Sequence, residues 1–193
     1  MISWEILDSR TVSQEQIAQA LQTADNRRKQ KAAALLREQD RRVTICSDLL
    51  LRRLLSARLR CPPESLEFTV AENGKPCLAG NPLCFNLSHS GPYAACAVSE
   101  HSVGMDIECF RPVSAALIKR VCSPGELAFV GDDAQKFIQL WTLKEACLKY
   151  RGTGIAGDLK QVVAVHGGQL SLLELSFFSG TSADYAFSIV YEL

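Results

Sequence analysis

No run of apolar residues in this chain approaches the roughly 18 that cross a bilayer, although 47% of its 193 residues are hydrophobic. The composition argues against a membrane span and supplies a packed core. The opening Met1-Ile2-Ser3-Trp4-Glu5 lacks the basic-then-apolar pattern of a signal peptide, so the expected location is cytoplasmic. Net charge is also missing, with 21 basic and 21 acidic residues. No two of the eight cysteines, at 46, 61, 77, 84, 96, 109, 122 and 147, form a Cys-x-x-Cys pair, which removes the usual zinc and redox spacings. A disulfide framework belongs to short secreted chains. Segments such as Ala95-Cys96-Ala97 are expected to bury free thiols as small hydrophobes. There is no Gly-x-Ser-x-Gly elbow, no low-complexity segment and no long linker. The length suits one large domain or two small ones.

The charge that is present is unevenly placed. Between Arg27 and Arg60 stand eleven Lys/Arg and three Asp/Glu, and the remainder is net acidic. Solvated helix faces are the commoner meaning of such a run. The sharper reading is a pocket for a multiply phosphorylated small molecule. A nucleic-acid surface is disfavoured, since no aromatic residue interleaves the basic ones.

Ser13-Gln14-Glu15-Gln16 predicts a capping box and a helix to about Thr23. Asp25 or Asn26 opens a second helix to about Gln39, and a third runs from about Asp40 to Leu59, where Pro62-Pro63 follows. Strands are expected at Leu66 to Ala71, Cys84 to Leu87, Tyr93 to Val98 and Val103 to Cys109, with a turn at Asn73-Gly74-Lys75-Pro76. Helices are expected at Ser114 to Val121, Pro124 to Val130 and Asp133 to Tyr150, the last capped by Gly152. Strands near Leu159 to Val165, Leu170 to Phe177 and Tyr185 to Tyr191 complete the chain. Tyr93 to Val98 and Tyr185 to Val190 are similar apolar strands preceded by helices, an echo that suggests two related α+β halves meeting near Glu100 to Val103.

Three constellations carry chemistry. In Gly104-Met105-Asp106-Ile107-Glu108, two carboxylates share one strand face, while Met105 and Ile107 point to the other side, into the core. Buried acids need a partner or a metal. Alone, the pair more often marks a strand end whose acids reach solvent or an Arg. Glu145, on a predicted helix, adds the third carboxylate of a hard-cation site with room for phosphate oxygens. Lys149, one turn beyond, is placed to meet a phosphate, although Glu145 and Lys149 at i, i+4 also describe a surface salt bridge. Trp141, one turn earlier, suggests a partly buried face turned toward a site. Lys144 lies about 100° around the helix and points elsewhere. In Phe85-Asn86-Leu87-Ser88-His89-Ser90-Gly91, a hydroxyl, an imidazole and backbone amides suit phosphate oxygens, or the histidine is satisfied locally. Ser88 and His89 are adjacent on a strand and point apart, unlike a nucleophile and its base. His101 and His166 are expected to be exposed.

Gly74-Lys75-Pro76, Phe85 to Ser90, Gly104 to Glu108 and Trp141-Thr142-Leu143-Lys144-Glu145-Ala146-Cys147-Leu148-Lys149 occur in the order and approximate spacing of Sfp-type 4′-phosphopantetheinyl transferases. The resemblance spans about Arg28 to Gly154. It implies an α+β fold of two similar halves related by pseudo-twofold symmetry, residues 1–102 and 103–193, with the active site in the cleft between them. It implies a monomer that moves 4′-phosphopantetheine from coenzyme A to a serine of an apo acyl or peptidyl carrier protein, for fatty-acid, polyketide or nonribosomal-peptide synthesis. Neither nucleic acid nor membrane is an expected partner. Asp106, Glu108 and Glu145 are the implied Mg2+ ligands. Glu145 is also the implied base for the serine, directly or through water. Lys149 is implied to neutralise the pyrophosphate as adenosine 3′,5′-bisphosphate leaves. Arg28, Lys31, Thr44, Lys75, Pro76, Ser88 and His89 are the implied coenzyme A contacts, with arginine at 28 where the family commonly has lysine. Glu126, in Ser123-Pro124-Gly125-Glu126, matches a further acidic position near the site. Arg111, Lys119 and Arg120 are placed to receive an acidic carrier surface.

Two other readings remain open on the residues alone. Asp-x-Glu with a later Glu and Lys is also a nuclease-like inventory, and a non-catalytic carrier-binding module would share the surface.

Overall fold

A computed structural model describes residues 1–71, 74–80, 83–152 and 159–192. Asn73 of the predicted turn and Gly154 at the end of the resemblance lie outside them. The chain divides into two compact units, Met1–His101 and Ser102–Leu193.

The first unit opens with β1 (Ser3–Asp8) and three helices, α1 (Gln14–Thr23), α2 (Asn26–Ala34) and α3 (Glu38–Leu59). The α1 start is the predicted capping box: Gln16 N–H donates to Ser13 Oγ, and Ser13 N–H donates to the Gln16 side chain. The Asp25 carboxylate caps α2 by accepting from Arg28 N–H at 2.8 Å. A small hairpin follows, β2 (Phe68–Val70) with β3 (Pro76–Leu78), then β4 (Cys84–Ser90) and β5 (Tyr93–Ser99). The main sheet is antiparallel in the order β1-β5-β4. Helix α3 lies across it and supplies Val43, Cys46, Leu50, Leu51 and Leu55 to a core shared with Phe85, Cys96 and Val98.

The second unit repeats this plan in the same order. It has β6 (Val103–Cys109), three helices α4 (Ala115–Val121), α5 (Pro124–Val130) and α6 (Ala134–Arg151), the hairpin β7 (Val165–His166) with β8 (Gln169–Leu170), then β9 (Ser176–Thr181) and β10 (Tyr185–Tyr191). Its sheet runs β6-β10-β9. In both units the first strand pairs with the last, which sits in the middle. The echo between Tyr93–Val98 and Tyr185–Val190 is therefore the echo of the two central strands, β5 and β10. Helix α6 packs on the sheet through Phe137, Leu140, Leu143, Ala146 and Cys147 against Ala186 and Val190. It ends at Gly152, whose φ of 73° is the left-handed cap that glycine adopts without strain.

Several expected boundaries moved. The second helix stops at Ala34 rather than Gln39. Leu159 to Val165 is not a strand: a 3-10 turn occupies Leu159–Gln161, and only Val165–His166 pairs. Val162 and Ala164 are apolar because they join the core of the second unit, not because they join a sheet. Leu170 to Phe177 belongs to two strands, the end of β8 and the start of β9. Met105 and Ile107 are buried, but the core packed against α6 lies on the opposite face of β6, the Asp106 side. His166 is only half-exposed, and its Nε2 is shut away from water with no hydrogen-bond partner among the described residues.

Candidate active site

The acidic residues of β6 and the end of α6 meet because Gly104 has no side chain. A Cβ there would sit 1.9 Å from the Ala146 carbonyl oxygen and 2.5 Å from the Tyr150 nitrogen. With hydrogen in that place, α6 lies directly on β6. Two residues along the same strand face, Asp106 is only 6% exposed. Lys149 donates to Asp106 Oδ1 at 2.6 Å and to the Met105 carbonyl at 3.1 Å. Glu145, one turn back on α6, is 8% exposed. Burial pushes its carboxyl above the usual carboxylate range. The Asp106 charge adds to that rise, Lys149 opposes it, and Glu108 contributes a smaller push in the same direction. Glu108, half-buried at the strand end, accepts from Arg111 Nη2 at 2.9 Å and Nε at 3.2 Å.

The three carboxylates are thus close enough to repel one another and hold two basic side chains as counter-charges. Among the described residues, no three His, Cys, Asp or Glu side chains converge tightly enough to form a finished metal cage. The donor chemistry nevertheless suits a hard divalent cation: three acidic oxygen donors, two of them nearly enclosed, in a patch whose mutual repulsion such a cation would relieve.

Lys144 points away from this patch, as its position on the helix predicts. It is wholly enclosed, as is Glu126, and the two pair at 2.7 Å. Burial pushes the Glu126 carboxyl up, but Lys144 and the backbone N–H groups of Ala164 and Ser123 outweigh it and bring it below the usual range. Glu126 is therefore enclosed by its own partners. Trp141 is half-buried in the core of the second unit, its ring 6.0 Å from that of Phe137. Packing accounts for the indole.

In the first unit, a cavity of about 300 Å³ is walled by α2, α3 and the β2–β3 hairpin, with Arg27, Arg28, Lys31, Phe68, Val70 and Pro76 among its lining. Asp48 holds this wall in place. It accepts from Arg52 Nε at 2.9 Å and faces Arg28 Nε at 3.4 Å, while the Arg52 guanidinium lies 5.1 Å from the Phe68 ring centre. The Lys31 amine is pushed below the ordinary lysine range, first by lost hydration, then by Arg28 and Arg27. Excess positive charge beside an apolar wall is the chemistry of a site for a phosphorylated ring compound.

Arg28, Lys31 and Pro76 are thus gathered in one cavity. Lys75 sits between two of its lining residues, Gly74 and Pro76. Thr44 is buried on α3, Ser88 is buried on β4 and His89 is exposed on β4; none of the three lines the cavity. Sequence reasoning missed Arg27, Asp48 and Phe68. The signal for Asp48 was its i, i+4 spacing to Arg52.

Family comparisons match these two units separately. Residues 10–101 match the model described as 4′-phosphopantetheinyl transferase, N-terminal. Residues 102–190 match that of the 4′-phosphopantetheinyl transferase superfamily. The chain is 39% identical over 152 residues to the 4′-phosphopantetheinyl transferase AcpT of Salmonella typhi, covering 74% of this chain and 76% of that one. The chain belongs to the 4′-phosphopantetheinyl transferase superfamily. It is also 29% identical over 171 residues to the 4′-phosphopantetheinyl transferase Sfp of Bacillus subtilis, covering 84% of this chain and 76% of Sfp. A putative 4′-phosphopantetheinyl transferase of Synechocystis is 38% identical over 138 residues, or 66% of this chain and 56% of its own. The protein is accordingly a transferase enzyme, which sets aside the nuclease and the non-catalytic readings. No helix among the described residues is long and apolar enough to cross a membrane.

Proposed function

We propose that the protein transfers 4′-phosphopantetheine from coenzyme A to a serine hydroxyl of an apo acyl or peptidyl carrier protein, with Mg2+ as cofactor. The observation that carries this reading is the cluster of Asp106, Glu108, Glu145 and Lys149 on one face of β6 and the end of α6. Asp106, Glu108 and Glu145 are the residues that would hold the cation. When bound, Mg2+ would polarise the pyrophosphate and offset the charge that develops on it.

The protein's own groups do the rest. Glu145 takes the serine proton, directly or through water, since an unassisted hydroxyl is a weak nucleophile at neutral pH. The serine oxygen attacks the phosphorus that bears pantetheine. The bond from that phosphorus to the bridging oxygen breaks, and adenosine 3′,5′-bisphosphate leaves with the electron pair. Lys149 passes from Asp106 to the pyrophosphate and stabilises this growing charge. Arg28, Lys31, Lys75 and Pro76 receive the nucleotide end, with Ser88, His89 and Thr44 as further contacts. The cavity of about 300 Å³ is sized for that part of the cofactor rather than the whole of it. In this reading the protein is a cytoplasmic monomer, as the family resemblance implies. Lys119 and Arg120, exposed in the last turn of α4, face an acidic carrier together with Arg111.

Calorimetric titration of coenzyme A with and without Mg2+ tests the shared site. Tighter binding with Mg2+ is expected; equal heats in both conditions, or no binding, would count against it.

A further inference from the structure

Among the described residues of the second unit, one side-chain ion pair is fully shut from water, one residue from the proposed base. Lys144 and Glu126 are both 0% exposed. All three amine hydrogens have partners: Glu126 Oε2 at 2.7 Å, the Val121 carbonyl at 2.9 Å and the Leu159 carbonyl at 3.0 Å. The carboxylate is equally filled. Its Oε2 accepts from Ser123 N–H at 2.7 Å, closing the α5 capping box, and its Oε1 accepts from Ala164 N–H at 2.9 Å. One pair thus ties α6 to the end of α4, the start of α5 and the segment from 159 to 164.

Stability alone is a poor reason for such a pair. Buried ion pairs are commonly matched or exceeded by apolar packing of the same volume, because both charges lose their water. Direction is what an apolar contact does not supply. Helix α6 rests on the sheet mainly through aliphatic and aromatic groups, which resist separation more than they resist turning; the directional ties on that side are the Thr142–Ser188 hydroxyl contact at 2.9 Å and the bonds of Lys149 to β6. On the side away from the sheet, three hydrogen bonds from a single amine, to acceptors on three other segments, hold the turn of the helix.

We infer that Lys144 and Glu126 act as a positioning clamp that sets the rotation of α6 and so the aim of Glu145 and Lys149. The inference rests on the roles proposed above for those two residues. Side-chain atoms lie about 5–6 Å from a helix axis, so a rotation of about 10° moves them by roughly 1 Å. A displacement of that size at a reacting group costs on the order of 10²-fold in rate.

The test is the double variant Lys144→Met/Glu126→Gln, which removes both charges together and leaves an amide oxygen for Ala164 N–H. It is assayed well below its melting temperature, beside the parent, for transfer from coenzyme A to an apo carrier protein. The expected result is a folded protein whose kcat falls about 10²-fold while KM for coenzyme A and for carrier stay within about threefold. A purely structural pair would leave kcat per folded molecule unchanged, and that outcome overturns the clamp. Should the double variant not fold, Glu126→Gln alone, at a temperature where it is fully folded, is held to the same kcat criterion. A parent protein without transfer activity would defeat the proposed function; an active parent with an unaltered variant defeats only the clamp.

Discussion

Gly104→Ala is a single added methyl group at a position that carries no reacting atom, and it should disable the enzyme. The alanine Cβ would stand 1.9 Å from the Ala146 carbonyl oxygen, where ordinary contact begins near 3.4 Å. The gap to be opened is therefore about 1.5 Å, and the obstructing atoms are helix backbone, which cannot swing aside as a side chain does. Overpacking typically costs about 1–3 kcal/mol, and an unyielding backbone puts this site at the upper end. For a chain of this length, about 3 kcal/mol corresponds to a fall in Tm of roughly 6–12 °C. The second consequence is geometric. Lifting α6 from β6 withdraws Lys149 and Glu145 from Asp106, and a misplacement of more than about 1 Å costs at least on the order of 10²-fold in transfer rate. Thermal melting, with transfer measured where the variant remains folded, reads both effects. A Gly104→Ala protein with the parent's Tm and rate would refute the close approach of α6 to β6.

Substitutions at three further positions probe the acidic patch. Asp106→Ala should abolish transfer while shifting Tm little, because repulsion on Glu145 is relieved and the Lys149 amine, 25% exposed, retains water. Retained activity at saturating Mg2+ would remove Asp106 from the ligand set. Lys149→Ala should lower kcat by about 10²–10³-fold, more than it weakens coenzyme A binding. Lys149→Arg should rescue it only in part, since a planar guanidinium does not replace a compact amine; a change confined to the dissociation constant would make Lys149 a binding residue only. Glu145→Gln should raise Tm at neutral pH in metal-free buffer. The folded carboxyl is held above its unfolded value, so the contribution of Glu145 to the parent's stability is greatest below the ordinary glutamate range near about 4.3 and falls as pH rises through the raised value. The variant's advantage should accordingly vanish in acid, and a constant difference across pH would contradict the assignment.

How far the sequence revealed this site depended on the range of each signal. The capping box at Ser13 and the glycine cap at Gly152 are local, and the helices they bound matched closely. Apolar runs placed β6 and β10, and i, i+4 spacing placed Glu145 and Lys149 on one side of α6. Longer-range facts were hidden. Nothing in Gly-Met-Asp-Ile-Glu says that the glycine is a contact point for a helix more than forty residues on, or that a second apolar cluster, packed with α6, lies on the acidic face, beside the buried Met105 and Ile107 of the other face. Strand β1 has only six residues and draws its stability from pairing with β5, a partner no local pattern shows. The segment from 159 to 164 resembled a strand because its apolar residues serve the core, and apolar content alone does not separate the two. The partners that Lys144 and Glu126 find in each other across eighteen residues were likewise invisible, although the position of Lys144 on the helix correctly turned it from the site.

Mass analysis of an apo carrier protein after incubation with coenzyme A and this enzyme tests the central claim most directly. The account predicts that one serine gains a single phosphopantetheinyl group as adenosine 3′,5′-bisphosphate accumulates in equal amount, and that chelation of Mg2+ or Asp106→Ala stops both. An unmodified carrier, or transfer that proceeds undiminished without divalent metal and without the Asp106 carboxylate, would contradict it.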